Sequence, residues 1–320
     1  MDRYHEAKPA PTAFFWRRLQ SLMGVMLVIF LIEHLLTNSQ AALYIGDDGY
    51  GFIHAVNAIH NLPYLNVIEI LLIGTPFLIH GLWGIKYLMT SKQNAYFSTG
   101  KDPYFPKYAR NQAYTWQRIT SWILFIAIIA HVAEMRFIHY PTSAKVDATT
   151  YYMMPVSKDD GLYTLADRLD VKIYDEQQIK KGQLQLQSPG NKRAKAGTKI
   201  AKLLQEQKKA QETEYLEAMK AWPLETNEVV TVSPNFGTAE LLLVRDTFKN
   251  PWMLFLYSLF VIAATYHAFN GFWTFCISWG LTLTARSQMI MRVISLGLML
   301  LIGFLGLIAI WGSYLINLKQ

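Results

Sequence analysis

Five apolar stretches, each long enough to cross a lipid bilayer, decide what this chain can fold into: Gln20–Leu43, Asn66–Met89, Gln117–Ile138, Trp252–Trp279 and Met291–Ile316. A helix that crosses needs roughly 20 apolar residues at a rise of about 1.5 Å each. A soluble core has no use for such runs. The composition, 52% hydrophobic and 17% charged over 320 residues, would by itself also suit one large soluble domain, so the distribution settles the matter. The expected fold class is an all-α integral membrane protein, a five-helix transmembrane bundle with a long polar insertion between helices 3 and 4. Its parts are 1–140 (helices 1 to 3), 141–240 (the polar loop with an amphipathic helix) and 241–320 (helices 4 and 5). The first run follows Arg17 and Arg18, contains Glu33 and His34 and ends in no small-residue cleavage site, so it reads as a retained helix rather than a removable leader. The single cysteine, Cys276, has no partner for a disulfide within the chain and reads as a small packing residue.

Basic residues set the orientation, because short cytoplasmic loops are enriched in Lys and Arg. The N-terminal segment carries Arg3, Lys8, Arg17 and Arg18. The second-to-third connection carries Lys86, Lys92, Lys101, Lys107 and Arg110, and the fourth-to-fifth carries Arg286 and Arg292. The first-to-second loop has Asp47 and Asp48 and no base. This pattern puts the N-terminus on the cytoplasmic side and the C-terminus outside. The long third-to-fourth connection then lies outside, where charge no longer governs a segment of its length. From Pro141 to Asn250 it holds 16 Lys plus Arg against 15 Asp plus Glu, so the chain's net charge of +7 sits mainly on the cytoplasmic face. Such a face suits anionic lipid or a docked partner. Nucleic acid is a poor fit, since no basic segment is interleaved with stacking aromatics. Within the insertion, Ile200, Leu203, Leu204, Tyr215, Leu216 and Met219 recur among charges from Thr198 to Trp222, which reads as a solvated amphipathic helix.

Four of the eight histidines, His34, His80, His131 and His267, fall in four different spans. A polar, ionisable side chain in hydrocarbon is costly and normally faces the bundle interior, where it does something. One such histidine could be an interhelical hydrogen bond; four at matched depth ask for more. Counted from the polar residue at which each helix enters the membrane (Gln20, Asn66, Gln117, Trp252), each lies 14 or 15 residues in. That is roughly 20 Å into a core about 30 Å thick. Because consecutive helices run in opposite directions, His34 and His131 meet in the outer half and His80 and His267 in the inner half. Each pair offers two imidazole nitrogens to one metal. Two trans protein ligands suffice for a haem iron, whereas zinc or copper wants a third or fourth. Glu33 and Glu134 near the outer pair keep another metal open. Gly81 and Gly84 follow His80, Gly271 follows His267, and Gly24 and Ser121 reach the inner level by the same count; such small residues make room for a macrocycle or for close helix packing. Two haems with both axial positions filled favour electron transfer over chemistry on a substrate.

These motifs resemble a known family. One histidine in each of the first four of five helices is similar to the single-chain, di-haem cytochrome b558 subunits of bacterial succinate dehydrogenases and fumarate reductases. Matching stretches are Phe14 to Gly24, Leu62-Pro-Tyr, His80-Gly-Leu-Trp-Gly84, Gln117-Arg-Ile-Thr120, His131-Val132 and the series from Asn250-Pro-Trp through His267-Ala-Phe-Asn-Gly271 to Ala285-Arg-Ser-Gln288. They cover most of 14–140 and 241–316; the insertion lies outside the resemblance, since such relatives join helices 3 and 4 by a much shorter connection. The resemblance implies two haem b groups, a flavoprotein subunit and an iron-sulfur subunit docked on the cytoplasmic face, and a quinone, commonly menaquinone, reacting near the outer haem. His60, just before the second helix, stands where relatives can carry an acidic residue and is the candidate for quinone proton exchange; a surface role for it is as good a reading. Arg18, Arg118 and Arg136 lie near helix ends, where they could meet haem propionates or anchor the interface. His5, His54 and His139 read as solvated or packing residues. The dicarboxylate chemistry itself belongs to partner subunits, for this chain has neither a nucleotide-binding glycine pattern nor cysteines for iron-sulfur clusters. Two rivals remain at this level: a cytochrome b anchor of another respiratory dehydrogenase, such as a hydrogenase or formate dehydrogenase, and a haem-free membrane anchor or transporter.

Overall fold

Long apolar runs close their own backbone hydrogen bonds as helices, which is what a bilayer demands of them. The computed structural model describes residues 11–42, 48–90, 109–187 and 199–318. Arg3, His5, Lys8, Asp47, Lys92, Lys101, Lys107 and Thr198 lie outside the described residues. The first run is α1 (Thr12–Ser39). A short helix absent from the sequence expectations, α2 (Tyr50–His60), follows Gly49, whose positive φ of 77° suits a residue without a side chain. The second run is α3 (Leu65–Glu69), a π-helical turn (Ile70–Gly74) and α4 (Thr75–Thr90), together one span. Pro76, which lacks an N–H and cannot continue the ordinary ladder, stands two residues after the end of that widened turn, second in α4. The third run, α5 (Ala109–Val132), also passes into a π turn, Ala133–Ile138.

Next come β1 (Thr142–Val146), β2 (Thr149–Ser157), α6 (Asp160–Arg168), β3 (Lys172–Tyr174), α7 (Glu176–Gln187), α8 (Lys199–Met219), β4 (Glu228–Ser233) and α9 (Phe236–Thr247). The last two runs are α10 (Pro251–Ser278) and α11 (Ala285–Leu318). Among the described residues, five spans are therefore long and apolar enough to cross a membrane. The chain is a multi-pass, predominantly helical membrane protein, as its hydropathy implied.

The chain divides into two compact units. The first draws on Met1–Leu36, Pro63–Ile129 and Ser258–Gly306, the bulk of the spans. Its helices approach closely where side chains are small. A Cβ on Gly306 would lie 2.8 Å from Val261 Cγ1, and one on Gly303 would lie 3.3 Å from Thr265 Oγ1. Phe269, Trp273 and Cys276 are buried here, whereas Leu71, Ile126 and Leu300 are exposed, as lipid-facing side chains are.

The second unit draws on Thr37–Leu62, Ala130–Tyr257 and Leu307–Gln320. Beyond the amphipathic helix expected near Thr198–Trp222, it contains an antiparallel sheet in the order β1-β2-β4-β3. Alternate residues of β2 and β4 serve opposite faces. Met154, Val156 and Val229 join Leu162, Leu165, Ala239 and Leu242 of α6 and α9, while Met153, Val230 and Val232 join Ile179 of α7 and Met219 of α8. Both faces are covered, so β4 shows no apolar–polar alternation, and Val229, Val230, Thr231 and Val232 are all buried. Pro155 is accommodated because β1 pairs only with Thr149 to Met153, leaving the ladder on that side before the missing N–H. The apolar stripe of α8 is split: Tyr215, Leu216 and Met219 pack on the sheet, and Ile200, Leu203 and Leu204 are exposed.

Two side chains tie α9 to its surroundings. Gly237 N–H donates to Asn57 Oδ1 at 2.8 Å, and a Cβ there would sit 2.5 Å from the Ile53 carbonyl oxygen, so only glycine lets α9 lie this close to α2. Glu240 is pushed up to about 7 by burial, against the pull of Arg136. A carboxylic acid raised in this way stabilises the fold below its unfolded value of about 4.3, and that contribution is lost as pH rises through 7. Thermal unfolding of the detergent-solubilised chain is expected to move to lower temperature between about pH 5 and about pH 8, and Glu240→Gln to flatten that trend; equal slopes in the two proteins would refute the assignment.

Candidate functional site

In the first unit, α4 and α10 bring His80 and His267 together. Their ring centroids are 6.1 Å apart and their planes are nearly perpendicular, at 87°. Two metal–nitrogen bonds of about 2 Å, extended from each nitrogen to its ring centre, span a separation of this size. Perpendicular planes are compatible with two imidazoles that would hold one metal ion between them.

The hydrogen bonds fix which nitrogen each ring presents. His80 Nδ1 lies 2.9 Å from the Gln20 carbonyl oxygen, an acceptor only, so Nδ1 carries the proton and Nε2 the lone pair. His267 Nδ1 lies 3.3 Å from the Gln117 carbonyl oxygen and 3.4 Å from both Thr120 Oγ1 and Ser121 Oγ. Those hydroxyls donate to backbone carbonyls of Trp116 and Gln117, so His267 Nδ1 also meets acceptors and must donate. Both rings hold the tautomer that a metal takes through Nε2.

The helices are shaped to receive these rings. A Cβ on Gly24 would lie 2.8 Å from His80 Cε1 and Nδ1, so the imidazole rests on α1 at a point only glycine leaves open. Gly24 and Ser121, which counting puts level with these two histidines, lie against His80 and His267 respectively. Gln117 clamps α5 to α10, its Nε2 donating to the His267 carbonyl at 3.0 Å and its Oε1 accepting from Asn270 Nδ2 at 2.6 Å. It was read from sequence only as a polar helix entrance and a motif position.

His34, in the first unit, has its ring 5.4 Å from that of Phe30. His131 belongs to the second unit, with Nδ1 3.1 Å from Tyr257 Oη. Tyr257 in turn donates to Glu134 Oε2 at 3.0 Å. Glu134 had been noted as a nearby carboxylate; nothing in the sequence singled out Tyr257. His60, at the end of α2 in the second unit, stacks on Phe236 at 3.9 Å with planes 16° apart, and its Nε2 lies 3.2 Å from Tyr152 Oη. Arg18 bonds the Ser278 carbonyl and lies over the Trp279 ring, Arg118 lies over Tyr114, and Arg136 over Tyr140. Among the described residues no group of three or more His, Cys, Asp or Glu gathers as a metal site, and the imidazoles seen together are those of His80 and His267.

No protein-family model and no solved structure matches this chain. The succinate dehydrogenase cytochrome b558 subunit of Bacillus subtilis (strain 168) is 24% identical over 299 residues, covering 93% of this chain and 96% of that protein. Over 93% of its length the chain is similar to a succinate dehydrogenase cytochrome b558 subunit, the kind of protein that the motifs of 14–140 and 241–316 resemble.

Proposed function

We propose that this chain is the membrane anchor and di-haem cytochrome b subunit of a succinate:quinone oxidoreductase, carrying electrons between an iron-sulfur subunit and a membrane quinone. One observation carries the reading: the His80 and His267 rings lie 6.1 Å apart, each with Nδ1 at a backbone carbonyl and Nε2 left with its lone pair, so the two would hold one haem iron. Haem b bound by such a pair supplies one-electron redox chemistry at a fixed depth in the membrane. Gln20, Gln117, Thr120 and Ser121 hold the rings in place, and the depth count assigns His34 and His131 to a second, outer haem.

The similarity to a succinate dehydrogenase subunit supports the remaining assignments. A flavoprotein subunit and an iron-sulfur subunit dock on the cytoplasmic face, where the basic loops lie, and carry the dicarboxylate chemistry. The N-terminus is cytoplasmic and the C-terminus outside. The quinone, menaquinone by the same resemblance, reacts near the outer haem, with His60 exchanging its proton. His60→Ala is expected to slow quinone reduction about 10²-fold or more, the usual worth of a general acid or base, with the haem spectrum unchanged; an unchanged rate would reduce His60 to a packing residue on Phe236.

Gly24→Ala pushes a methyl into the His80 ring. Haem retention at the inner pair is expected to weaken about 10–100-fold, as it does when an outer-shell partner of a metal ligand is lost. Haem titration of the purified variant checks this, and native retention would argue that the ring lies elsewhere. For the function as a whole, the purified chain is expected to contain two haem b per polypeptide; a chain purified without haem overturns the proposal in favour of a haem-free anchor.

A further inference from the structure

A phenol has one proton to give. Tyr257 donates its proton to Glu134 Oε2 at 3.0 Å, so its oxygen can only accept at the 3.1 Å approach of His131 Nδ1. His131 therefore donates through Nδ1 into a chain that ends on a carboxylate oxygen. The inner pair differs: the Nδ1 groups of His80 and His267 meet backbone carbonyls and, for His267, hydroxyls.

Local structure builds the chain. Glu134 follows His131 by three residues, the spacing that puts both on one helix face. It sits in the π turn Ala133–Ile138, where the His139 N–H reaches back to the Glu134 carbonyl at 2.8 Å. Single π turns of this kind recur at functional sites. Across from it, the Phe248 and Tyr257 rings pack edge to face, with centroids 5.4 Å apart and planes at 87°, which holds the phenol in position.

The geometry points to Glu134 and Tyr257 as positioning residues for His131, which make it an electron-rich axial ligand and lower the reduction potential of the haem it binds. This rests on the functional reading above, in which His131 is a haem ligand. Hydrogen bonding from a ligating imidazole orients the ring and raises its basicity, and the Glu134 carboxylate behind the Tyr257 phenol makes that acceptor stronger, favouring the ferric state.

The test is a spectroscopically monitored redox titration of the purified full chain, as wild type, Tyr257→Phe and Glu134→Gln, with His131→Ala identifying the outer component. In Tyr257→Phe both b-type components are expected to remain. The outer one is expected to titrate higher, so that at a fixed poise its reduced-to-oxidised ratio rises roughly tenfold, about 59 mV for a one-electron couple. Glu134→Gln, which keeps an acceptor but removes the charge, is expected to move it the same way by less, and serves alone if Tyr257→Phe does not fold. Unchanged potentials with both components present, or a shift confined to the component lost in His267→Ala, overturn the proposal. A wild-type chain without haem overturns the functional reading instead, before any variant is compared.

Discussion

Replacing His267 by Ala is expected to remove the inner haem, halving the haem content of the purified chain and leaving the outer b-type component in place. Loss of an outer-shell partner typically weakens a metal site about 10–100-fold, and loss of one of two axial ligands is the larger change. The damage is local. Gln117 keeps its bond to the residue 267 carbonyl, because that contact uses backbone, and its bond to Asn270, so α5 and α10 stay clamped. His80 stays on the Gln20 carbonyl. His80→Ala is expected to remove the same component, and the double variant no more than either single one. A second component lost in His267→Ala would mean that the pairs are not separate sites.

Asp159→Ala is expected to destabilise the second unit by about 3–4 kcal/mol, near the lower end of the range for breaking a partly buried ion pair with the loss of a helix cap added. Asp159 does both jobs. It caps α6 by accepting the Leu162 N–H at 2.8 Å, and its oxygens take Arg245 at 2.5 and 2.9 Å and Lys249 at 2.6 Å. The Arg245 side chain is only 8% exposed. Burial alone would raise the carboxyl, but the two cations outweigh it and hold Asp159 well below the ordinary carboxylate range. Its folded value is the lower one, so its stabilisation is complete above about pH 5 and is lost as pH falls. Amide hydrogen exchange in α6 and α9 is the measurement. Asp159→Asn, which can keep the cap while losing the charge, is expected to fall between wild type and Ala; native protection in the Ala variant would show that neither bond matters.

Much of the membrane part was legible because lipid makes errors expensive. A run such as Met291–Ile316 has one stable form in hydrocarbon, and an imidazole there needs a reason. The rise per residue is fixed as well, so counting puts Gly24 and Ser121 level with His80 and His267, and Gly24 is found against His80 and Ser121 against His267. The sheet was hidden. β4, covered on both faces, shows no alternation, and the turn from β1 to β2 runs through Asp147 at φ 54° with no glycine to mark it. The single stripe on α8 concealed two environments, since only its C-terminal half meets the sheet. Tyr257 was invisible for another reason. A tyrosine in an apolar run looks like any interfacial aromatic until its partners on another helix are known.

Imidazoles from alternating helices, gripping iron in two tiers, are the claim on which the rest depends. Electron paramagnetic resonance of the oxidised, purified chain tests it most directly, because two imidazole ligands make ferric haem low-spin. Two low-spin signals are expected, one converting to high-spin or disappearing in His267→Ala and the other in His131→Ala. A high-spin signal in the wild type, or low-spin signals that survive both replacements, would contradict the account.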